Sequence, residues 1–512
     1  MSTANRVIKN TGFLYARMAI TMFISLAITR MILNSLGASD FGIFQVVGGS
    51  IAMLGFLNAA MASATQRFMS YSEGAGDKEK QKRIFNVSLI LHFGLSFIVC
   101  LALLGAGWFF FHGILNLPEG RTEAAEVVYG SLIVSTMFTV MSVPYAAMLN
   151  AHENMLYYSI VGVFESLMKL GVAFATVYTM RDKLIVYGVL MACVPLVSLT
   201  VMRVYCHKHY KECIFAPRRY WDKGLMKEMT SFAGWNLMGS TASALTMQGM
   251  AIVLNSFWGV VANAAHGVAS QLSGQIMVFS NNMLKALNPV ITKKEGAHER
   301  NSMLEFSMTG NKLSFIILSF FAIPFIVEMP YIAKLWLKNP PEYTVLFCRL
   351  VFLRLMIGQL SVTFATCIRA VGIIRNVTIC ESLIWASILP LSIFAFWMGA
   401  PIYSIYLLLI LLVIARDGTM LYFMKKLCQL RVRWFITSVV VPCGLTGSAV
   451  LLIGYFITLA FPESFVRLVV NACVLAVMLL VLSYKVCFNR KEKDIILNGV
   501  TLFYKKIKNK RL

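Results

Sequence analysis

Long apolar runs, separated by short polar and mostly basic segments, follow one another along almost the whole of this chain. A helix that crosses the hydrocarbon core of a bilayer needs about 20 predominantly apolar residues, and about fourteen windows meet that requirement. These windows are 11–33, 41–65, 85–111, 124–149, 155–179, 184–206, 230–257, 262–290, 311–333, 344–368, 376–398, 401–424, 435–460 and 464–485. The pattern therefore predicts an all-α polytopic membrane protein with about fourteen transmembrane helices.

The basic residues between the apolar runs are unevenly divided between the two sides of the predicted membrane. Most of them lie in every second connection, for example at 78–83, 208–227 and 425–433, whereas the connections in between hold few. Basic loops tend to remain on the cytoplasmic side of a membrane. We therefore expect both chain termini in the cytoplasm, which requires an even number of spans.

The composition changes this picture little. Of the 512 residues, 58% are hydrophobic and 13% are charged, whereas soluble domains are about a quarter charged. The formal net charge of +23 follows from the basic loops, so no nucleic-acid partner is expected. The 11 cysteines imply no disulfide framework. No GxxxxGK[ST] loop is present, and the segment "CHKHYKEC" (206–213) does not have zinc-ligand spacing, so we expect neither cofactor nor metal.

Three short sequences recur, in the same order, roughly 220 residues further along the chain. They are Leu33-Asn34-Ser35 with Leu254-Asn255-Ser256, "SVPYAAMLNA" from Ser142 with "SVTFATCIRA" from Ser361, and Glu165-Ser166-Leu167 with Glu381-Ser382-Leu383. The repeats pair the first predicted span with the seventh, the fourth with the tenth and the fifth with the eleventh. Since the repeat unit contains an even number of spans, both copies run in the same sense, and the pattern predicts a pseudo-two-fold axis along the membrane normal.

The repeat predicts the domain organisation. Residues 1–206 and 230–424 are predicted to form two similar six-helix lobes that face a central cavity, and 207–229 to link them on the cytoplasmic side. Residues 435–485 are predicted to add two further spans, and 486–512 to form a basic cytoplasmic tail.

The first-to-second-span signature R…LG…FG, here Arg30, Leu36-Gly37 and Phe41-Gly42, resembles a known superfamily. Together with "FAGWNLMGSTASALTMQGMAIVLNSFWG", "NAAHGVASQL" and "NPVITK", it is similar to the polysaccharide-transport branch of the multidrug/oligosaccharidyl-lipid/polysaccharide (MOP) exporter superfamily. Its Wzx-type members flip undecaprenyl-diphosphate-linked oligosaccharides, such as O-antigen and lipopolysaccharide precursors. The resemblance implies a multi-pass flippase of the bacterial inner membrane.

Ionisable groups inside the predicted spans are the candidate site residues, because each costs at least ~2.5 kcal/mol on insertion scales and usually marks a pathway or a partner. Arg17 and Arg354 have no acidic partner in their own spans, and guanidinium groups bind phosphate oxygens bidentately. We therefore expect both to face the cavity as ligands of a diphosphate. Arg349, Arg30 and Lys285 complete the candidate cationic cavity, although Arg30 and Lys285 could instead reach the headgroups.

The other intramembrane charges lie in pairs. Glu165 and Lys169 are four residues apart on one helix face and can form an ion pair. Arg416 and Asp417 are adjacent in the twelfth span, and Glu381 lies in the eleventh. We interpret these five residues as structural ion pairs, with a role in ion coupling as the alternative.

Uncharged polar residues in or near the seventh span could contact the glycan. Asn236, Gln248 and Asn255 could donate hydrogen bonds to sugar hydroxyls. The competing interpretation is hydrogen bonding between helices, which is common among membrane spans.

These observations favour a flippase that works by alternating access over two other functions. A cation-coupled multidrug exporter is the first alternative, but the first and seventh spans contain no Asp or Glu for cation exchange. A membrane-embedded glycan polymerase or ligase is less favoured, because no sizeable outer loop is available to carry catalytic residues, so we expect no enzymatic activity. The expected partners are the lipid-linked oligosaccharide, membrane lipids and other membrane proteins of polysaccharide assembly.

Overall fold

The structure is a computed structural model that describes residues 3–52, 55–111, 120–490 and 492–494. Within these ranges the chain forms helices and short turns, with no strand. The predicted all-α class is therefore confirmed. The predicted tail 486–512 lies outside the described residues except for its first few positions.

The described residues form sixteen α-helices, numbered α1 to α16 in chain order. Their bounds are Thr3–Ala52, Gly55–Ala75, Lys78–Phe109, Thr122–Ala151, Met155–Tyr178, Lys183–His209, Pro217–Tyr220, Lys223–Gly296, Arg300–Leu337, Thr344–Gln359, Phe364–Val371, Arg375–Trp397, Ser404–Cys428, Val432–Phe435, Val441–Ala460 and Phe465–Leu482. Two π-helical segments adjoin the last two spans, at Ile436–Val440 and at Ser483–Cys487.

Eleven of the described helices are long and apolar enough to cross a membrane, and the number rises to 12 if one bent pair counts as a single span. This identifies a multi-pass membrane protein, but the predicted number of fourteen is not confirmed. One reason is α8, whose 74 residues count once. A straight helix of that length would measure ~110 Å at 1.5 Å per residue, which is several times the ~30 Å thickness of the hydrocarbon core.

Two glycines with nearly identical backbone angles divide the longest helices. Gly37 in α1 has φ 76° and ψ 172°, and Gly259 in α8 has φ 76° and ψ −172°. This region of φ/ψ space is accessible essentially only to glycine. Each glycine follows one copy of the repeated Leu-Asn-Ser sequence. The repeated sequence therefore corresponds to a repeated backbone turn.

The tenth predicted span is broken. Its two parts, α10 and α11, are bent by 42° relative to each other. At the break, Oδ1 of Asn311 accepts hydrogen bonds from the backbone N–H of Thr363 at 2.9 Å and from its hydroxyl at 2.8 Å. A buried side chain thus satisfies a backbone donor that a continuous helix would use, as hydrocarbon surroundings require. The matching segment of the first repeat remains helical throughout α4, although it contains Pro144.

The chain separates into two compact units, with the boundary inside α8. The N-terminal unit comprises Asn10–Leu237, and the C-terminal unit comprises Met238–Leu512 together with Met1–Lys9. In the C-terminal unit α15 packs closely on α9. A Cβ on Gly454 would lie only 2.9 Å from the side chain of Val327, so the absence of a side chain at Gly454 permits this close approach.

In the N-terminal unit, an ion-paired cluster joins the part of α1 that follows Gly37 to the starts of α4 and α6. Arg121, which precedes α4, donates hydrogen bonds to Asp40 at 2.9 Å and to Asp182 at 2.5 Å, and Asp182 caps α6. The bonds to Asp182 and Asp40 raise the pKa of Arg121. Burial raises the pKa of Asp182, but the bonds from Arg121 and from the helix backbone outweigh burial and hold it below its usual value.

Replacing Arg121 by Ala should destabilise the protein at neutral pH by ~1.5–3 kcal/mol, the range for a hydrogen bond to a charged group. Since the pKa of Asp182 is depressed in the folded state, its contribution is present above the usual pKa and disappears as the pH falls through the folded value. The difference between Arg121→Ala and the wild type should therefore shrink in acid. Unfolding in SDS measures both effects. Arg181→Ala, at an exposed neighbour, is the control, and an equal loss there would contradict the assignment.

Replacing Gly259 by Ala should cost ~1–3 kcal/mol of stability, because alanine is strained at a positive φ with extended ψ. Gly267 lies in the same helix, has no atom within 4 Å of a Cβ position and has no positive φ. Gly267→Ala should therefore be neutral or slightly stabilising, since alanine has the higher helix propensity. Comparing SDS unfolding of the two variants tests this. Equal stability would show that the turn at Gly259 tolerates a side chain.

Candidate anion-binding sites within the helices

In the N-terminal unit, the guanidinium group of Arg17 lies on α5. Its Cζ is 4.7 Å from the centroid of the Tyr158 ring, and its Nε and Cζ occupy the space that a Cβ on Gly162 would need. Cation–π contact of this kind stabilises a guanidinium without using its N–H donors. Among the residues that the structure describes, no carboxylate forms an ion pair with Arg17.

Further along the same helix, Glu165 and Lys169 pair as expected from their spacing. Nζ of Lys169 donates to Oε1 of Glu165 at 2.7 Å, and both side chains are about one-third exposed. The charges of Glu165 and Lys169 therefore cancel. The guanidinium of Arg17, which lies against the same face of α5, forms no ion pair with a described carboxylate.

In the C-terminal unit, Arg354 lies in the middle of α10. Its Nε is buried and has no hydrogen-bond partner among the described residues. Helix α10 packs against α13, which carries Tyr406 and Arg416. Tyr406 is 1% exposed and its hydroxyl lies 2.7 Å from Nδ1 of His266. The site therefore combines an unsaturated guanidinium with a hydroxyl–imidazole pair.

A second arginine, Arg416 of α13, forms ion pairs with two carboxylates. Nε of Arg416 donates to Glu381 of α12 at 2.8 Å, and its Nη1 donates to Asp417 at 3.1 Å. Ser361, at the break between α10 and α11, donates to Asp417 at 2.7 Å. Two carboxylates thus compensate Arg416, whereas no described carboxylate pairs with Arg354.

Arg349 has a different environment. Its Nε donates to the carbonyl of Ile326 at 2.8 Å, and its Nη2 lies 3.5 Å from the carbonyl of Val327. Pro330 lies four residues after Ile326 inside α9 and has no N–H to donate to that carbonyl. Arg349 therefore supplies a donor that the helix itself lacks.

The remaining candidates differ in their exposure. Arg30, Gln248 and Asn255 are exposed, and Lys285 is partly buried. Asn236 is 8% exposed and donates to the carbonyl of Phe232 in its own helix at 3.1 Å.

Two buried ion pairs were missed in the sequence, although both acids and both bases are visible in it. Glu328 of α9, fully buried, accepts from Arg467 of α16 at 2.8 Å, and Lys312 of α9 donates to Glu492 at 2.8 Å. Both pairs connect α9 to the C-terminal part of the chain. The partners are well over 100 residues apart, so spacing gives no signal for them.

Glu73, His152 and Glu212 form a group whose ligand atoms lie within 4.8 Å of one another, close enough for a metal ion. The ammonium of Lys78 lies 2.7 Å from Glu73 and 2.8 Å from Glu212 and so already supplies a cation there. Burial raises the pKa of Glu73 and Glu212, but hydrogen bonds, from His152 and Lys78 to Glu73 and from Lys78 to Glu212, outweigh it and hold both below their usual values. The group is an ion-paired cluster that joins the ends of α2, α4 and α6.

Comparisons with known proteins identify a family for this chain and a set of solved structures with the same fold. A family model described as "polysaccharide biosynthesis protein" matches residues 7–295. The uncharacterized membrane protein EpsK of Bacillus subtilis is 27% identical over 119 residues, and the match spans about a quarter (23%) of each chain.

Solved structures share the fold. An outward-facing multidrug resistance MATE family transporter of the MOP superfamily has a TM-score of 0.71 at 12% identity, covering 84% of this chain and 96% of that one. A MOP superfamily transporter from Pyrococcus furiosus, reported to have a binding pocket of reverse polarity, has a TM-score of 0.69 at 14% identity, covering 84% and 98%.

If Arg349 compensates for the missing N–H of Pro330, Arg349→Gln should be less stable than the wild type by ~1–3 kcal/mol. This is the cost of leaving the carbonyl of Ile326 without a donor. Pro330→Ala restores the N–H, so the same substitution should cost clearly less in that background. The free energy of unfolding in SDS for the four proteins measures this coupling. Equal losses in the two backgrounds would rule out the compensation.

Proposed function

The chain belongs to the polysaccharide biosynthesis protein family and has the MOP-superfamily transporter fold, and from this premise we propose that it is a flippase for undecaprenyl-diphosphate-linked oligosaccharide. The proposal places it in the bacterial inner membrane with both termini in the cytoplasm. The fold supports a membrane transporter. The proposal adds the substrate, which has a doubly charged anionic head.

The observation that carries this proposal is the imbalance of charge inside the helices. Glu165, Glu381 and Asp417 are each paired with a cation. Arg17 and Arg354 have no carboxylate partner among the described residues. An uncompensated guanidinium inside a membrane is costly, so it is best explained by a ligand that supplies the missing negative charge. A diphosphate does this and matches the bidentate geometry of guanidinium.

In the proposed mechanism, each arginine serves in its own unit. Arg17 would bind phosphate oxygens with the N–H groups that face away from Tyr158, and Arg354 would bind them beside the Tyr406–His266 pair. The polyprenyl tail would remain in lipid while alternating access exposes the head first to the cytoplasm and then to the opposite side. Asn236, Gln248 and Asn255 would be secondary contacts of the glycan, and enzymes of polysaccharide assembly would supply and consume the substrate.

A cation-coupled multidrug exporter is the second candidate, because a multidrug transporter shares the fold. A fold alone does not specify a substrate. Within 11–33 and 230–257 the chain has no acidic residue to attract a cationic drug or a coupling ion. The P. furiosus transporter is reported to have a binding pocket of reverse polarity that suggests a different function, so this fold can carry pockets of opposite polarity.

The test is export of lipid-linked glycan in a strain of the source organism that lacks the gene. The strain is complemented with Arg17→Gln, Arg354→Gln, Arg354→Lys and Arg354→Glu. Loss of a charge-assisted bond costs ~1.5–3 kcal/mol, so each Gln variant should reduce the export rate at least about tenfold. Arg354→Lys should retain partial function because the charge remains, and Arg354→Glu should have none.

Mass spectrometry of the accumulated undecaprenyl-diphosphate glycan gives the readout, and immunoblots establish equal protein levels. Arg181→Gln, at an exposed position outside the spans, is the matched control and should export normally. Normal export by the double variant Arg17→Gln, Arg354→Gln would overturn the proposal. Resistance of the complemented strain to a cationic dye such as ethidium, with no effect on glycan, would favour the exporter instead.

A further inference from the structure

We infer that Gly162 is a positioning residue. Because Gly162 has no side chain, it leaves a recess on α5, called the seat below, that fixes the guanidinium of Arg17 in position to bind the anionic head of the substrate. The inference rests on the proposed function for the role of Arg17, but the seat itself can be tested independently.

The seat consists of one turn of α5. A Cβ built on Gly162 would overlap Nε and Cζ of Arg17 and would lie 2.6 Å from its Nη2. The guanidinium therefore occupies the volume that any other residue at position 162 would fill. Tyr158 lies one turn earlier on the same helix face, with its ring 4.7 Å from Cζ of Arg17.

This arrangement restricts the guanidinium without saturating it. The bare backbone of Gly162 and the ring of Tyr158 limit its position, and neither accepts a conventional hydrogen bond from it. No described carboxylate pairs with Arg17, so its donors remain available for a ligand. A long flexible side chain that is fixed in advance loses less entropy when it binds, and preorganisation of this kind increases affinity.

The charges on the rest of the helix face do not interfere. Glu165 and Lys169 lie about one and two turns beyond Gly162 and neutralise each other at 2.7 Å. The net charge that this face offers a ligand is therefore that of Arg17. A displacement of Arg17 should change anion affinity directly.

The overlap with Gly162 involves only the far end of a flexible side chain, so Gly162→Ala should still fold and should move the guanidinium away. Gly171, on the same helix, has no atom within 4 Å of a Cβ position. Gly171→Ala is therefore the matched control, with the same change of helix propensity and no displaced neighbour.

The experiment measures binding of undecaprenyl diphosphate to the purified full-length protein in lipid nanodiscs, with undecaprenol as the uncharged control. Arg17→Gln and Gly162→Ala should each raise the Kd about tenfold, and the double variant should be no weaker than either alone. Arg17→Lys should rescue Gly162→Ala in part, because the smaller ammonium avoids the added methyl group and keeps the charge. Gly171→Ala should bind like the wild type.

Thermal unfolding of the same proteins gives a readout that does not depend on substrate. Gly162→Ala should lower the Tm in the wild type and raise it in an Arg17→Ala background, where the overlap is gone and only the better helix propensity of alanine remains. An unchanged Kd for Gly162→Ala, or the same Tm shift in both backgrounds, would contradict the inference that Gly162 positions Arg17. If Arg17→Gln binds normally, the proposed substrate role of Arg17 fails, and the Tm cycle still decides whether the seat exists.

Discussion

The cost of an ionised side chain in hydrocarbon is the constraint on which the arrangement of this protein depends. Several acids within the described helices are paired with a base, and some of these pairs join helices that are distant in sequence. The pairs are Glu165–Lys169, Glu328–Arg467, Lys312–Glu492, and Arg416 with Glu381 and Asp417. Removing one partner of such a pair is strongly destabilising. Arg17 and Arg354, which form no ion pair with a described carboxylate, therefore require a different explanation.

The same constraint acts on the backbone. A membrane helix must satisfy its own polar groups, and departures from regular helix occur here where a side chain compensates. Asn311 accepts from the backbone at the break after α10, and Arg349 donates to a carbonyl that Pro330 leaves unpaired. In both cases a polar residue within a span has a defined structural contact. Distinguishing such a structural role from substrate binding depends on whether the donors of the side chain are already used.

The two copies of the internal repeat share a backbone turn but differ in chemistry. Gly37 and Gly259 retain the same backbone angles. The repeated acids differ, because Glu165 pairs within its own helix whereas Glu381 pairs with Arg416 of α13. The matching helices differ too, with α4 continuous and α10 broken from α11. The shared fold with MATE transporters is compatible with this divergence, because the substrate depends on the residues placed inside the helices more than on the helices themselves.

The all-α membrane class and the repeated Leu-Asn-Ser sequences can be recognised in the sequence alone, because the length of an apolar run and a recurring motif are local properties. The sequence also predicted the Glu165–Lys169 pair, whose partners are four residues apart. It could not predict that Arg349 bonds to Ile326, that the tenth span breaks between Gln359 and Phe364, or that Gly162 accommodates Arg17. Those features depend on contacts between helices that are distant in sequence, and only the packing of the folded chain decides which side chain fills the space that another residue leaves open.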